Sequence, residues 1–318
     1  MSSRDAGTSA ATLPRRLGCS TISFQHLTLD DALVEIERLG FTEIDLGALP
    51  GVCDHVPFEL DDAAIAQVAA TIAAHGLRVR SVNGDVGDFN DPALDADRQA
   101  EHVERLVRLT ASIGADALVL PCGALDHEPI VDLDTDLDRV ATALTRAAAT
   151  ASAHGVELWV ESLHFLRLCF DRARADALHA RLAGSGVRPI LDVAHAVAAG
   201  DDLIETIRAW GSGIAHVHLR DAVPGQFSRA IGDGDVDFAA ALRALAEVGY
   251  AGGFALELPS RAYVDDATGA MGDDARAARV DAIRDAAARI APLVAGLGHT
   301  DSTQPSSKTP SLKTQGAS

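Results

Sequence analysis

Four residues in the second half of the chain have the types and spacing to act together: Glu161, Asp192, His218 and Glu257. Each ends a short apolar run, in ELWVES, RPILDVAH, AHVHLRD and FALELPS, and the four runs follow one another along the sequence. A carboxylate or imidazole at the exit of an apolar strand is unfavourable unless something pairs it. Three carboxylates and one imidazole form a hard donor set, and one divalent cation is the simplest partner for all four. Mn²⁺ suits the set first, with Mg²⁺, Co²⁺ or Zn²⁺ as alternatives. An octahedral ion held by four protein groups keeps two positions for adjacent oxygens of a polyol or hydroxyketone. Such an ion would stabilise the enediolate formed when a proton leaves the carbon next to a carbonyl. Carboxylates beside it could serve as general acid and base.

The elements that must bring these residues together are legible as an alternation. Strand-like runs occupy 17–23, 43–47, 78–84, 117–123, 157–162, 188–195, 214–221 and 253–260. Ala-rich segments with apolar residues at helical spacing separate them, such as TLDDALVEIERLG and DDAAIAQVAATIAAHG. Gly40, Gly76, Gly114 and Gly155 fall where helix C-caps belong, and Thr28 and Asp201 where N-caps belong. Eight such units in one region predict an α/β fold, a single (β/α)₈ TIM barrel over 16–297. A doubly wound open sheet would use the same alternation. The four candidate ligands favour the barrel, because its strand ends converge on one mouth, whereas those of an open sheet lie in a line.

Strand parity is consistent with this. Trp159 shares a face with Glu161, Ile190 with Asp192, His216 with His218, and Ala255 with Glu257. Phe254, Leu256 and Leu258 then face the helices. Other polar residues near the strand exits have two readings each. His195 follows Asp192 and could contact substrate or bond a backbone carbonyl. His164 could line the pocket or stand exposed on its loop. Arg220 could meet a substrate phosphate or carboxylate, or pair with Asp221. His55, in the loop 50–58 after the second strand, could reach the mouth or sit in an ordinary turn. His216 reads as a core or supporting histidine. The glycines of IGDGDVDF permit close approach to a ligand, and Asp237 could cap the next helix.

Bulk composition excludes several functions. A formal net charge of −19 opposes nucleic acid and anionic membranes. With 47% hydrophobic but only 4% aromatic residues, the core must be built from Ala, Val, Leu and Ile. Cys19, Cys53, Cys122 and Cys169 form no CxxC pair and read as reduced thiols. No signal peptide or membrane span is apparent, so a cytoplasmic location is expected. Residues 1–15 read as a flexible leader and 298–318 as a disordered tail.

The motifs VES with Glu161, LDVAH with Asp192 and His195, HVHLRD with His218, GDGDVD (232–237) and ALELPS with Glu257 resemble the xylose isomerase-like barrel superfamily. That superfamily includes sugar phosphate isomerases and epimerases, ketose 3-epimerases, inosose dehydratase and endonuclease IV. The resemblance covers roughly residues 17–295. It implies that Glu161, Asp192, His218 and Glu257 hold the metal. It also implies that Glu161 and Glu257 exchange the substrate proton on opposite faces, as in ketose 3-epimerases, and that His195 binds substrate. Pro224 stands where those epimerases place an arginine, while Arg220–Asp221 resemble the broader isomerase and inosose dehydratase branches. The expected protein is thus a metal-dependent sugar isomerase or epimerase acting on a sugar, sugar phosphate or cyclitol. A keto-cyclitol or keto-sugar dehydratase and a non-catalytic sugar-binding barrel are the alternatives. The expected partner is a small carbohydrate, with no nucleic acid and no membrane, and the resemblance allows a homodimer.

Overall fold

The outer layer follows from short amphipathic segments with explicit ends. In α1 (Leu29–Arg38), the Thr28 hydroxyl accepts the Asp31 amide at 3.2 Å, and Ala32, Leu33 and Ile36 turn one face into the core. Asp30 and Asp31 in the first turn complement the helix dipole. Gly40 then takes a left-handed φ of +89°, which ends the helix where a side chain would be strained. Side-chain N-caps recur in α2 (Asp62–Ala73), α3 (Ala96–Ser112), α4 (Leu133–Ala153), α5 (Arg172–Arg181), α6 (Val193–Ala199), α7 (Leu203–Trp210) and α8 (Phe238–Glu247). Helix α9 (Asp273–Gly296) closes the layer, and α2 ends at Ala74 without the left-handed glycine expected at Gly76. Asp202, not Asp201, caps α7; Asp201 instead accepts the Arg172 amide at 2.8 Å.

This computed structural model describes residues 13–258 and 273–297. The expected tail lies outside the described residues, as does the expected leader up to residue 12 and the end of the eighth run, 259–260. Eight parallel strands close into a barrel: β1 (Leu17–Ser20), β2 (Glu43–Ala48), β3 (Arg78–Gly84), β4 (Ala117–Pro121), β5 (Glu157–Glu161), β6 (Arg188–Asp192), β7 (His216–Leu219) and β10 (Phe254–Leu256). Neighbours follow chain order, and β10 closes on β1 with Leu17 opposite Phe254. The fold is the single (β/α)₈ barrel that the alternation predicts.

Three apolar clusters result, the smallest being Ala194, Ala198 and Ala222. Leu256, Phe254, Val217, Leu191 and their neighbours fill the layer between barrel and helices. Ala117, Val119, Trp159, Ile190 and Ala215 form a separate cluster. The division matches strand parity except before β7, where Ala215 joins the inner cluster and Ile214 the outer one because β7 begins only at His216. Several strands are shorter than their apolar runs because local caps stop them. Ser20 accepts the Ile22 amide and turns Thr21–Phe24 into a 3₁₀ turn; Asp192 caps α6 and ends β6. The run 214–221 breaks after Leu219 and continues as a hairpin, β8 (Asp221–Val223) with β9 (Gln226–Arg229). Pro224 and Gly225 make its two-residue turn, with Gly225 at φ +79° as the third position of a type II turn requires. All four cysteines are buried free thiols. No described helix is long and apolar enough to cross a membrane.

Candidate metal centre

The barrel brings the four expected ligands to one place. Asp192 and His218 are register partners on β6 and β7, Glu161 ends β5, and Glu257 follows β10. Glu161, Asp192 and His218 offer ligand atoms within 4.8 Å of one another. His218 Nδ1 lies 3.4 Å from Glu257 Oε2 and 3.8 Å from Glu161 Oε1. All four residues are buried. Three atoms that face inward, Glu161 Oε1, His218 Nδ1 and Glu257 Oε2, have no hydrogen-bond partner. Buried polar atoms are rarely left so. A hard divalent cation would satisfy all three, so the residues fit the group.

Asp192 has two roles. Its Oδ1 accepts the Ala194 and His195 amides at 2.8 and 3.3 Å, which starts α6, while Oδ2 faces Arg220. Thus one oxygen is a helix cap and the other belongs to the cluster.

Arg220 lies inside the cage. Its Nε is 2.6 Å from Asp192 Oδ2, and its Nη2 is 2.6 Å from Glu257 Oε1 and 3.7 Å from Glu161 Oε1. Its plane lies over the Phe227 ring at 5.6 Å, from the β8–β9 hairpin. Arg220 therefore pairs with the ligand carboxylates and not with Asp221. Asp221 instead accepts four backbone amides, Ala222, Gly232, Gly234 and Val236, at 2.7–3.2 Å. A Cβ on Gly234 would sit 2.2 Å from Asp221 Oδ1, so this glycine permits the approach of a side chain of the protein itself.

Electrostatics within the cage are strongly coupled. Burial, reinforced by Glu257 and Asp192, pushes the Glu161 carboxyl up to about 7 against the pull of His218 and Arg220. Burial would lower His218, but Glu257, Asp45 and Glu161 outweigh it and raise the ring to about 10. In the metal-free cage, then, a proton on His218 partly offsets the carboxylates. Burial holds His195 well below the ordinary histidine range, and Arg220 and His218 add to it.

His195 and His164 stack beside the cage, with ring centroids 4.0 Å apart. His195 Nδ1 accepts the Phe165 amide at 3.2 Å, while its Nε2 lies 3.4 Å from Arg220 Nη2 and 3.8 Å from Glu161 Oε1. His164 is brought back over the site by Leu163, a buried residue at φ +46°. A non-glycine residue there costs on the order of 1 kcal/mol and marks a constrained turn. Arg167 fixes the same loop, donating to Asp85 at 2.6 Å and to the Gly123 carbonyl at 2.8 Å. His55 is committed elsewhere: its ring nitrogens meet Cys53 Sγ at 3.2 Å and the Leu27 carbonyl at 3.1 Å.

Two participants escape the sequence reading. Phe227 packs on His195 with centroids 5.0 Å apart and so walls the site from the hairpin; its signal is the Pro-Gly dipeptide, which marks a turn after β7. Asp45 on β2 is 1% exposed and lies 2.7 Å from His216 Nε2 and 3.3 Å from His218 Nε2. Its signal is the one used for the ligands, an acid inside an apolar run, here EIDLG.

The family model described as "Xylose isomerase-like TIM barrel" matches residues 33–291, and the chain belongs to that family. L-ribulose 3-epimerase of Mesorhizobium japonicum is 29% identical over 248 residues, which is 75% of this chain and 78% of that protein. A shorter stretch of 79 residues is 37% identical to an uncharacterized protein of Mycobacterium leprae, and covers 24% of this chain and 28% of that one. Among solved structures, an L-ribulose 3-epimerase superposes with a TM-score of 0.67 at 22% identity, covering 91% of this chain and 99% of that one. The IOLI protein with a bound zinc atom superposes with a TM-score of 0.64 at 19% identity, covering 86% and 98%.

Proposed function

We propose that this barrel is a divalent-metal-dependent sugar epimerase or isomerase that moves a proton at the carbon beside a carbonyl. The observation that carries the reading is the set of three unpartnered buried atoms, Glu161 Oε1, His218 Nδ1 and Glu257 Oε2, turned toward one another. Glu161, Asp192, His218 and Glu257 would hold the ion. When bound, such an ion supplies Lewis acidity, which stabilises negative charge building on adjacent substrate oxygens as the proton leaves.

The protein's own groups supply the proton transfer. Glu161, at the end of β5 beside the open side of the cage, is the first proton carrier. Glu257, which approaches the same His218 Nδ1 as Glu161, is the second proton carrier. His195, held at Nδ1 by the Phe165 amide, turns Nε2 toward the cage, where it can meet a substrate hydroxyl. Phe227 and the stacked His164 provide flat apolar surface against which a sugar ring can lie. Among the described residues, Arg220 and Arg167 beside the site are both paired with carboxylates, which favours an uncharged polyol over a sugar phosphate.

Turnover in D₂O, with ketoses, ketose phosphates and keto-cyclitols as substrates and Mn²⁺ present, tests this. An epimerase or isomerase places deuterium at the carbon next to the carbonyl of a neutral ketose. Loss of water from the substrate would point to a lyase instead, and an unchanged, unlabelled panel to a binding protein.

A further inference from the structure

We propose that Asp45, on the half of the barrel that supplies no metal ligand, is a positioning residue that fixes His218 for the ion. The inference rests on the metal reading and extends it to a residue one layer deeper. For His218 Nδ1 to offer a lone pair between Glu161 and Glu257, the ring's proton must sit on Nε2. That Nε2 lies 3.3 Å from Asp45 Oδ2 without an aligned hydrogen bond, and no other carboxylate is paired with it among the described residues, so Asp45 is the acceptor within reach when the ring carries its proton there. Metal-bound histidines commonly give their second N–H to a carboxylate, which sets both tautomer and ring orientation.

Asp45 is itself held from two sides. Its Oδ1 accepts the Ser81 hydroxyl at 2.9 Å, and Ser81 is its register partner on β3. Its Oδ2 accepts from His216 Nε2 at 2.7 Å, and the His216 ring stacks on Trp159 at 5.7 Å. Asp45 and His216 are each 1% exposed, and Ser81 is fully buried, so the three contacts are shielded from bulk water. The barrel lumen thus contains a fixed acceptor aimed across the axis from β2 to β7. A structural carboxylate needs one good partner; this one is surrounded so that a single orientation survives.

Asp45→Asn tests the inference in the full chain. The amide has the same shape, but it loses the charge and can present an N–H to His218, which favours the tautomer that removes the lone pair from Nδ1. Titration of Mn²⁺ into metal-free protein should show affinity lowered about 10–100-fold, the usual range for loss of such a partner. The Co²⁺ form should show a shifted ligand-field absorption, while the circular dichroism of the metal-free protein stays as in the wild type. In a His218→Gln background, Asp45→Asn should lower Mn²⁺ affinity no further, because the residue acts through the imidazole. Wild-type affinity and an unchanged Co²⁺ spectrum in Asp45→Asn would overturn the proposal. So would an equal loss in both backgrounds, which would make Asp45 a general structural group. If Asp45→Asn does not fold, Ser81→Ala stands in: a smaller loss of affinity with the same Co²⁺ shift supports the proposal, and an unchanged spectrum overturns it. If the wild type itself takes up neither Mn²⁺ nor Co²⁺, the metal reading falls and this inference with it.

Discussion

The two ends of the barrel handle charge in opposite ways. At the N-terminal end, Arg78, Arg80 and Arg188 meet Glu43, Asp116 and Glu157. Arg78 and Arg80 each bridge Glu43 and Asp116 at 2.5–3.3 Å, and Arg188 pairs with Glu157 at 3.3 Å. Three cations answer three anions in half-exposed pairs. At the C-terminal end, Glu161, Asp192 and Glu257 crowd around one guanidinium, Arg220. Among the described residues, with His218 neutral, two negative charges remain unmatched in a buried space, and a divalent ion would balance them. Both ends are polar. What separates a supporting end from a working end is unmatched charge and unpartnered atoms, because a closed network leaves nothing for a ligand to do.

The largest effect should come from breaking the working end. Glu257→Gln or Glu161→Gln should lower kcat by about 10²–10⁴-fold, the range for loss of a general acid or base, with the far-ultraviolet circular dichroism unchanged. Full turnover in either variant would remove the proposed proton carriers. Chelation should act next: stripping divalent ions should lower the melting temperature of the wild type, since the carboxylates then repel one another, relieved among the described residues by Arg220 and a His218 proton.

The supporting end should respond differently. Arg80→Ala should destabilise by about 1–2 kcal/mol in denaturant titrations, with kcat per folded molecule retained. Its loss should be equal with and without Mn²⁺; a metal-dependent loss would mean that the two ends are coupled.

The smallest effect concerns His179 on α5, whose Nε2 accepts from Ser162 Oγ at 2.5 Å and whose pKa burial lowers to about 4. Because the unfolded ring titrates near 6.5, the unfolded state binds the extra proton first, so stability should fall as pH drops from about 6.5 toward 4. The ring is partly exposed, and the change should be on the order of 2 kcal/mol. His179→Gln should flatten that part of the stability profile; an unaltered slope would assign it to other groups.

Much of this was legible in the sequence because one rule governs the barrel. Alternation along each strand sends Glu161, Asp192, His218 and Glu257 inward near the rim, and closure makes them meet. What escaped reading depends on contacts between distant segments. Arg220 could be assigned to Asp221 by proximity in sequence, yet a tight loop of four amides claims Asp221 and leaves Arg220 for the cage. The glycines of GDGDVD suit a ligand in sequence, but in the fold they admit the Asp221 carboxylate. His55 lies in a mouth loop by position, but Cys53 and the Leu27 carbonyl engage both its nitrogens. Asp45 carries the same strand signal as the ligands; only closure of β2 across from β7 reveals that it faces His218.

The most direct measurement is calorimetric titration of Mn²⁺ into metal-free wild-type protein and into Glu257→Gln. One ion per chain should bind at micromolar affinity or tighter in the wild type, and binding should weaken by at least about tenfold when that ligand is neutralised. Absence of binding in the wild type, or equal affinity in both proteins, would contradict a metal centre built on these four residues.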